Sequence, residues 1–202
     1  MDLTTLDAVK RFLEGDVESW DAAWDDIISD LIAGVSARAE HECNRDFAKI
    51  ARTEQHDGSN RFLYLKSTPI ASIASIKWSI YWDFTNQFLL IDPGGYKFNP
   101  VTGMVQFMGG IEWYPGEQSL QVVYTGGYDP APALTPPTGY VPIPGHLEEA
   151  IRFQVVYEFR RRKDLGLQSI SFPDGSIQIN NKDPWLPKVK AVLDDFHFRR
   201  VC

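Results

Sequence analysis

Cysteine is scarce in this sequence: Cys43 and Cys202 are the only two in 202 residues, far apart and not in a CxxC pair. They supply no disulfide framework and no paired soft metal ligands, so an ordinary apolar core must hold the fold, as suits a reducing compartment. One thiol is expected on a buried helix face and the other at a loose end. Long hydrophobic runs are also missing. No apolar stretch approaches the ~18 residues of a membrane span, and the first residues lack the basic-then-apolar order of a secretion signal. The expectation is a soluble protein made in cytoplasm. Positive charge is in deficit: 20 Lys and Arg stand against 27 Asp and Glu, a net charge of -7. A general nucleic-acid coat would be basic. That class is excluded, while a surface that repels DNA is not.

The usual marks of catalysis are absent as well. No Gly-x-Ser-x-Gly elbow occurs. The glycine pairs at 94–95, 109–110 and 126–127 lack the Lys-Ser/Thr of a phosphate loop and the strand–Gly–helix order. His41-Glu42-Cys43 brings three ligand types together, but neighbouring helix positions point to different faces and cannot converge on one ion. His56-Asp57 precedes a Gly58-Ser59 turn, where a turn-capping aspartate is the simpler role. His146 and His197 stand alone near helix ends. Asp25, Asp26 and Asp30 flank an apolar stripe on its polar side, whereas paired catalytic carboxylates need a shared, desolvated site. The sequence thus points to no enzyme, no metal and no cofactor.

What is present is a long periodic helix. From Ser19 to Asn44, apolar residues fall at Trp20, Ala23, Trp24, Ile27, Ile28, Leu31, Ile32, Val35, Ala39 and Cys43, one stripe at helical spacing. Ser19 is the expected N-cap, and Asp21, Asp25 and Asp26 suit the positive end of the helix dipole. Asn44 can take the left-handed conformation that ends a helix. Gly34, with Ala33, Ala37 and Ala39 nearby, costs helix propensity and suggests a narrow face for a closely approaching backbone. A shorter helix precedes it, with Thr4 and Asp7 forming a capping-box-like start and Leu6, Val9, Phe12 and Leu13 on one face. Acidic residues crowd the first 46 positions, while Arg160-Arg161-Arg162-Lys163 forms a compact basic run. Such runs are usually solvated, but opposite signs on separate elements can also mate between copies.

After Phe47 the period changes to two. Strands are expected at 61–66, 73–84, 104–108 and 119–125, with Ala74, Ile76, Trp78, Ile80 and Trp82 on the apolar face of the second. Phe88–Ile91 reads as a short buried run. The segment from Arg52 to Tyr128 is thus mostly antiparallel β with hairpin-scale connections. A proline-rich connector leads from Gly126 to Gly145. A third helix is expected over 146–164, a hairpin or arm over Ser169–Ile179 around Pro173-Asp-Gly175, and a last helix starting at Pro184. The aromatic residues Trp78, Tyr81, Trp82, Phe84, Trp113 and Tyr114 suit either strand core or an exposed platform for sugars or bases. The second use would make the chain a ligand- or carbohydrate-binding β module.

Several stretches, in order, carry a resemblance. Leu3–Leu13 with an acidic gap, the long helix and Asn44-Arg-Asp-Phe47 resembles the head–tail connector (adaptor or head-completion) family of long-tailed double-stranded DNA phages. Lys10 to Leu13 fits that family's Lys-x-x-Leu-like turn, and Arg45 to Phe47 its Arg-x-Phe. Leu63-Tyr-Leu-Lys-Ser-Thr-Pro-Ile-Ala-Ser-Ile73 is similar to its strand–Pro–strand step, and Val122–Tyr128 to its strand and aromatic–Gly corner. Pro144 to Arg162 resembles its third helix with a basic end. This chain is longer than many members, in the manner of those with a β insertion, and its tail after Gly166 is not mapped by the likeness.

The fold class expected is α+β: about four helices in a bundle, with an antiparallel β insertion between the second and third. One connector domain, 1–202, would comprise a helical core at 1–47 and 142–166, a β insertion at 48–130, and a C-terminal arm and helix at 167–202. The resemblance implies a structural virion protein at the head–tail interface, made in the host cytoplasm. It would form a ring of about a dozen copies between the portal protein and a downstream head-completion or tail protein. DNA would pass through without sequence-specific binding. Gly34, Ala37, Arg160, Arg161, Arg162, Lys163, Ser169 and Phe172 are the candidates for subunit or portal contacts. Asp21, Asp25, Asp26 and Asp30 are the candidates for a channel wall, where an acidic surface lets DNA slide by releasing few counterions.

Overall fold

The computed structural model describes residues 1–13, 21–86, 90–108, 113–130, 136, 138–162, 169–172, 175–178 and 184–198, with 169–172 and 175–178 as backbone only. Among these, helices α1 (Leu6–Leu13) and α2 (Ala23–Glu42) come first. Strands β1 (Ile50–His56), β2 (Phe62–Tyr64), β3 (Ile70–Trp78), β4 (Tyr96–Phe98), β5 (Met104–Phe107) and β6 (Leu120–Gly126) follow. Helix α3 (Gly145–Arg161), strands β7 (Ser169–Phe172) and β8 (Gly175–Gln178), and helix α4 (Pro187–Phe196) complete the order. The class is α+β with antiparallel sheets. The chain divides into two compact units: a helical one, Met1–Asn44 with Ile143–His197, and a β one, Arg45–Pro142 with Phe198–Cys202.

In the helical unit, α2 packs on α3, α3 on α4, and α1 on both α2 and α3. The spacing of the long helix explains its seat. Ile28, Ile32, Val35, Ala39 and Cys43 are buried, at intervals of three and four. In the same unit Leu147, Ile151, Val155 and Phe159 of α3 and Val189 and Leu193 of α4 are buried as well. Full burial of each such side chain contributes about 1.5–3 kcal/mol. The stripe is narrower than the sequence suggests: Ala23 and Ile27 are exposed, and Trp24 and Leu31 are half-buried. Helix α2 begins at Ala23 after an Asx turn, in which Ala23 N–H donates to Asp21 Oδ1 (3.0 Å). The expected cap, Ser19, lies outside the described residues. At the other end Asn44 has φ +50°, the left-handed conformation its side chain tolerates. For α1 the cap is Thr5, whose Oγ1 accepts from Ala8 N–H (3.2 Å), rather than Thr4, which is buried.

Gln154 fixes the last helix. Its side chain is fully buried in α3. Its Nε2 donates to Pro184 O (2.7 Å) and Glu158 Oε1 (2.8 Å), and its Oε1 accepts from Leu186 N–H (3.1 Å). Pro184 and Leu186 therefore spend their backbone groups on Gln154, and α4 starts at Pro187 rather than at Pro184.

Among the described residues the β unit has two three-stranded antiparallel sheets, in the orders β1-β6-β3 and β2-β5-β4. Leu63, Leu65, Ile76, Val105, Trp113, Leu120, Val122 and Tyr124 from both sheets form one core. Strand β3 is shorter than its apolar pattern suggests and ends at Trp78. Two register shifts against β6, at Ile70/Ser72 and Ile73/Ser75, break the alternation. Ile76 is therefore buried while Ala74 is exposed, and Ile80 and Trp82 lie in an exposed loop beyond the strand. Leu90 is exposed and Ile91 buried, so the run at 88–91 is not uniformly interior.

Gly58 sits in the turn from β1 to β2, and its N–H donates to Gly116 O (2.8 Å). A Cβ built there would lie 1.7 Å from Tyr114 O, so only glycine fits without moving backbone. Gly58→Ala should destabilise the β unit by about 1–3 kcal/mol, as overpacking does. Chemical denaturation followed by tryptophan fluorescence checks it, and an unchanged midpoint contradicts this account of the turn.

Candidate functional site

Helix α2 presents one continuous exposed stripe opposite its buried one. Asp26, Asp30, Gly34 and Ala37 follow each other at steps of four, four and three, and all are exposed. Among the described residues nothing lies within 4 Å of the position a Gly34 Cβ would take, and none of them makes the close approach that Gly34 suggests. The carboxylates do not act alike. Asp25 is half-buried and receives Lys10 Nζ at 2.7 Å, so its charge is offset. Asp21 is exposed and its carboxylate accepts from Ala23 N–H ahead of the helix, while Asp26 and Asp30 are exposed.

The basic end of α3 is likewise divided. Arg160 is exposed. Arg161 is half-buried, lies 5.2 Å from the Tyr157 ring centroid and donates to Tyr157 Oη. Arg162 turns back onto the fold: its guanidinium lies 4.0 Å from the Phe159 centroid and 5.7 Å from that of Trp24, and Nη1 donates to Phe159 O (2.6 Å). Arg162 therefore works as part of the packing. Lys163 lies outside the described residues. Ser169 opens β7 and Phe172 closes it; β7 pairs with β8, with Ile170 opposite Ile177 and Ser171 opposite Ser176. The helix-end residues His41, Glu42 and Cys43 diverge. His41 is exposed, Glu42 pairs with Lys190, and the Cys43 thiol donates to Leu193 O (3.4 Å). No group of three His, Cys, Asp or Glu suited to a metal occurs among the described residues.

The β unit holds a polar knot that the sequence pattern does not reveal. Tyr124 is fully buried on β6, and its Oη donates to Glu54 Oε1 (2.5 Å) while accepting from Ser67 N–H (3.0 Å). Glu54 Oε2 lies 3.1 Å from His56 Nε2 and accepts from Lys66 N–H (3.3 Å). Burial pushes the Glu54 carboxyl up, but the bonds from His56 and Tyr124, the His56 charge and the Lys66 N–H outweigh it and hold the pKa below the ordinary value. Burial, then the Glu54 hydrogen bond and charge, raise the Tyr124 phenol well above its usual value. Beside this knot is a cleft of about 540 Å³, lined by Thr53–Asp57, Asn60, all of β2, Glu117 and Phe198 among others.

The aromatic residues are split between the two uses open to them. Trp113 is buried and stacks near Phe107 (5.2 Å), and Trp78 lies against Tyr114 (4.9 Å). Tyr81 and Trp82 are 84% and 63% exposed at the loop after β3. Trp82 has φ +60° and its Nε1 donates to Glu117 O (3.0 Å), which holds the ring in place.

No protein-family model matches the chain, and no curated protein matches it. Solved structures do. A chain from the neck of an empty gene transfer agent (GTA) particle, computed with C6 symmetry, superposes with a TM-score of 0.61 at 12% identity. The match covers 99% of this chain and 92% of that one. The fold is that of a particle-neck chain. A chain from the virion of the native gene transfer agent particle matches with a TM-score of 0.58 at 13% identity, over 99% and 92% of the two chains. One from the neck of the native particle, computed with C12 symmetry, gives 0.52 at 13% identity, over 98% and 90%. At such identity the likeness is one of fold, and it runs the whole length of the chain.

The Glu54 knot has a testable sign. A carboxyl whose folded pKa is depressed stabilises the fold above its unfolded pKa of about 4.5, and that contribution is lost as pH falls through the lower folded value. Glu54→Gln should lower the stability of the β unit at pH 7 and flatten its loss as pH falls below about 4.5. Urea midpoints measured from pH 7 downward check both; parallel curves for the two proteins contradict the assignment.

Proposed function

We propose that this chain is a non-catalytic structural protein of a phage-like virion, a ring-forming adaptor between the portal vertex and the tail or the next head-completion protein. The observation that carries this reading is the full-length match to neck chains, made without a family-level sequence signal. Those necks were computed with C6 and C12 symmetry, which supports a cyclic assembly of identical copies. In such a ring each copy offers one surface and receives another. The Asp26–Ala37 stripe of α2 is small and acidic, and the exposed Arg160 lies in the last turn of α3. These two serve as the meeting surfaces of the reading, with Asp26 and Asp30 the residues closest to a repelling channel wall. The portal and the downstream protein are the further partners.

Two substitutions test the surfaces without touching the core. Among the described residues nothing lies within 4 Å of a Cβ at position 34, and Gly34→Leu should raise helix stability by about 0.5–1 kcal/mol. On this reading it blocks oligomer formation all the same. Arg160→Glu should leave the monomer folded and weaken ring or portal assembly. Arg162 is unsuited to the purpose because its removal would strip packing from Phe159 and Trp24. Native mass measurement with and without portal protein reads the outcome. Wild-type assembly by both variants would remove these surfaces from the proposal.

A further inference from the structure

Two exposed apolar patches lie at opposite ends of the β unit. One is the loop after β3, where Ile80, Tyr81 and Trp82 are exposed, as is Tyr114, whose ring lies on Trp78. The backbone and the indoles hold this loop in place. Ser79 N–H donates to Ser119 O (2.8 Å), Trp82 Nε1 to Glu117 O (3.0 Å) and Trp78 Nε1 to Pro115 O (3.3 Å). Asp83 and Glu117 are exposed beside it, while Lys77 turns its ammonium to Phe84 O (2.7 Å). The other patch is the turn between β4 and β5. Val101 is 74% exposed at its tip, and Phe98 is exposed at the end of β4. Asn99 fixes this turn: its Oδ1 accepts from Val101 N–H (2.9 Å) and Thr102 N–H (3.2 Å). Pro100 O ties the turn to β3 by accepting from Ile70 N–H (2.7 Å). The exposed Lys97 precedes Phe98. Ile70 opens β3 and Trp78 closes it, so the patches stand apart by the length of that strand, roughly 25 Å.

Adjacent exposed aromatic residues on a fixed loop mark an interaction surface, and Trp and Tyr are the usual anchors of one. We propose that the two patches are the two halves of one contact, and that the occupant of each is a second copy of this chain. The Tyr81–Trp82 loop of one copy packs against Phe98 and Val101 of the next. This contact rests on the ring reading above. The charges agree, since Asp83 and Glu117 flank one patch and Lys97 the other. The placement agrees as well. Unlike surfaces at opposite ends of one unit make a head-to-tail contact, which passes from copy to copy and can close into a ring. A patch that matched only itself would stop at a dimer. The β unit thereby carries a line of subunit contact in addition to the α2 stripe and Arg160.

Disulfide trapping in the full chain tests this, with Cys202→Ser so that the remaining native thiol, Cys43, is a buried one. Tyr81→Cys and Val101→Cys in one chain should give a ladder of linked oligomers on mild oxidation with portal protein present. A mixture of the two single variants should give a linked dimer that neither gives alone. Glu117→Lys and Lys97→Glu should each weaken assembly roughly tenfold, and the two in one chain should restore it. Oligomers by native mass without the ladder would overturn this contact and leave the adaptor reading standing. Wild-type chains that stay monomeric with portal protein would remove both. Linked dimers from Tyr81→Cys alone would also overturn the contact, because they would put like patches face to face.

Discussion

The buried amide of Gln154 is the interaction on which the helical unit turns. A primary amide inside an apolar core costs free energy unless its groups are bonded. Here the nitrogen reaches Pro184 O and Glu158, and the oxygen takes Leu186 N–H. One residue thereby links α3, the entry to α4 and the carboxylate that receives Arg38 at 2.6 and 2.7 Å. Arg38 comes from α2 and lies 5.6 Å over the Trp185 ring, between the two residues that Gln154 holds. A purely apolar side chain at 154 would fill the volume but leave Pro184 O and Leu186 N–H without these partners. The apolar contacts make the bundle cohesive; the amide sets where the last helix begins.

The β unit uses the same device with a charged group. Tyr124 carries a hydroxyl into the core, and Glu54 and Ser67 satisfy it. Glu54 in turn gathers His56 and Lys66 N–H. The inward positions of β1 are therefore polar: Arg52, Glu54 and His56 are half-buried, while Thr53 and Gln55 are exposed. This strand is held by backbone pairing to β6 and by its knot, not by an apolar face.

That difference explains what could be read from the residues. Helix α2 and its buried line at Ile28, Ile32, Val35 and Ala39 are legible because burial and periodicity coincide there. The left-handed Asn44 is legible because few residues tolerate that backbone. Strand β1 is not, since alternation of polar residues gives no apolar signal. The end of β3 is not legible, because Ile80 and Trp82 continue a pattern that the backbone abandons at Trp78. Thr4 and Pro184 mislead about the starts of α1 and α4 for a related reason: one position decides which hydroxyl caps α1, and a tertiary bond from Gln154 decides the start of α4. Of the candidate site residues, exposure separates Gly34, Ala37, Asp26, Asp30 and Arg160 from Asp25 and Arg162, which are spent inside the fold. No sequence pattern marks which member of a charged run will fold back.

Asp26 and Asp30 stand one turn apart on the same exposed face, so they repel each other along the helix by a few tenths of a kcal/mol. Within one copy that strain is slight. In the proposed ring it recurs at every symmetry-related position, and the fields of all copies add. Mobile ions then become part of the assembly. At physiological ionic strength the field decays over about 8 Å, and in dilute buffer at 0.01 M over about 30 Å. The same two side chains would thus be local in the cell and long-ranged in low salt, and the cohesion of the ring would follow the medium as well as the sequence.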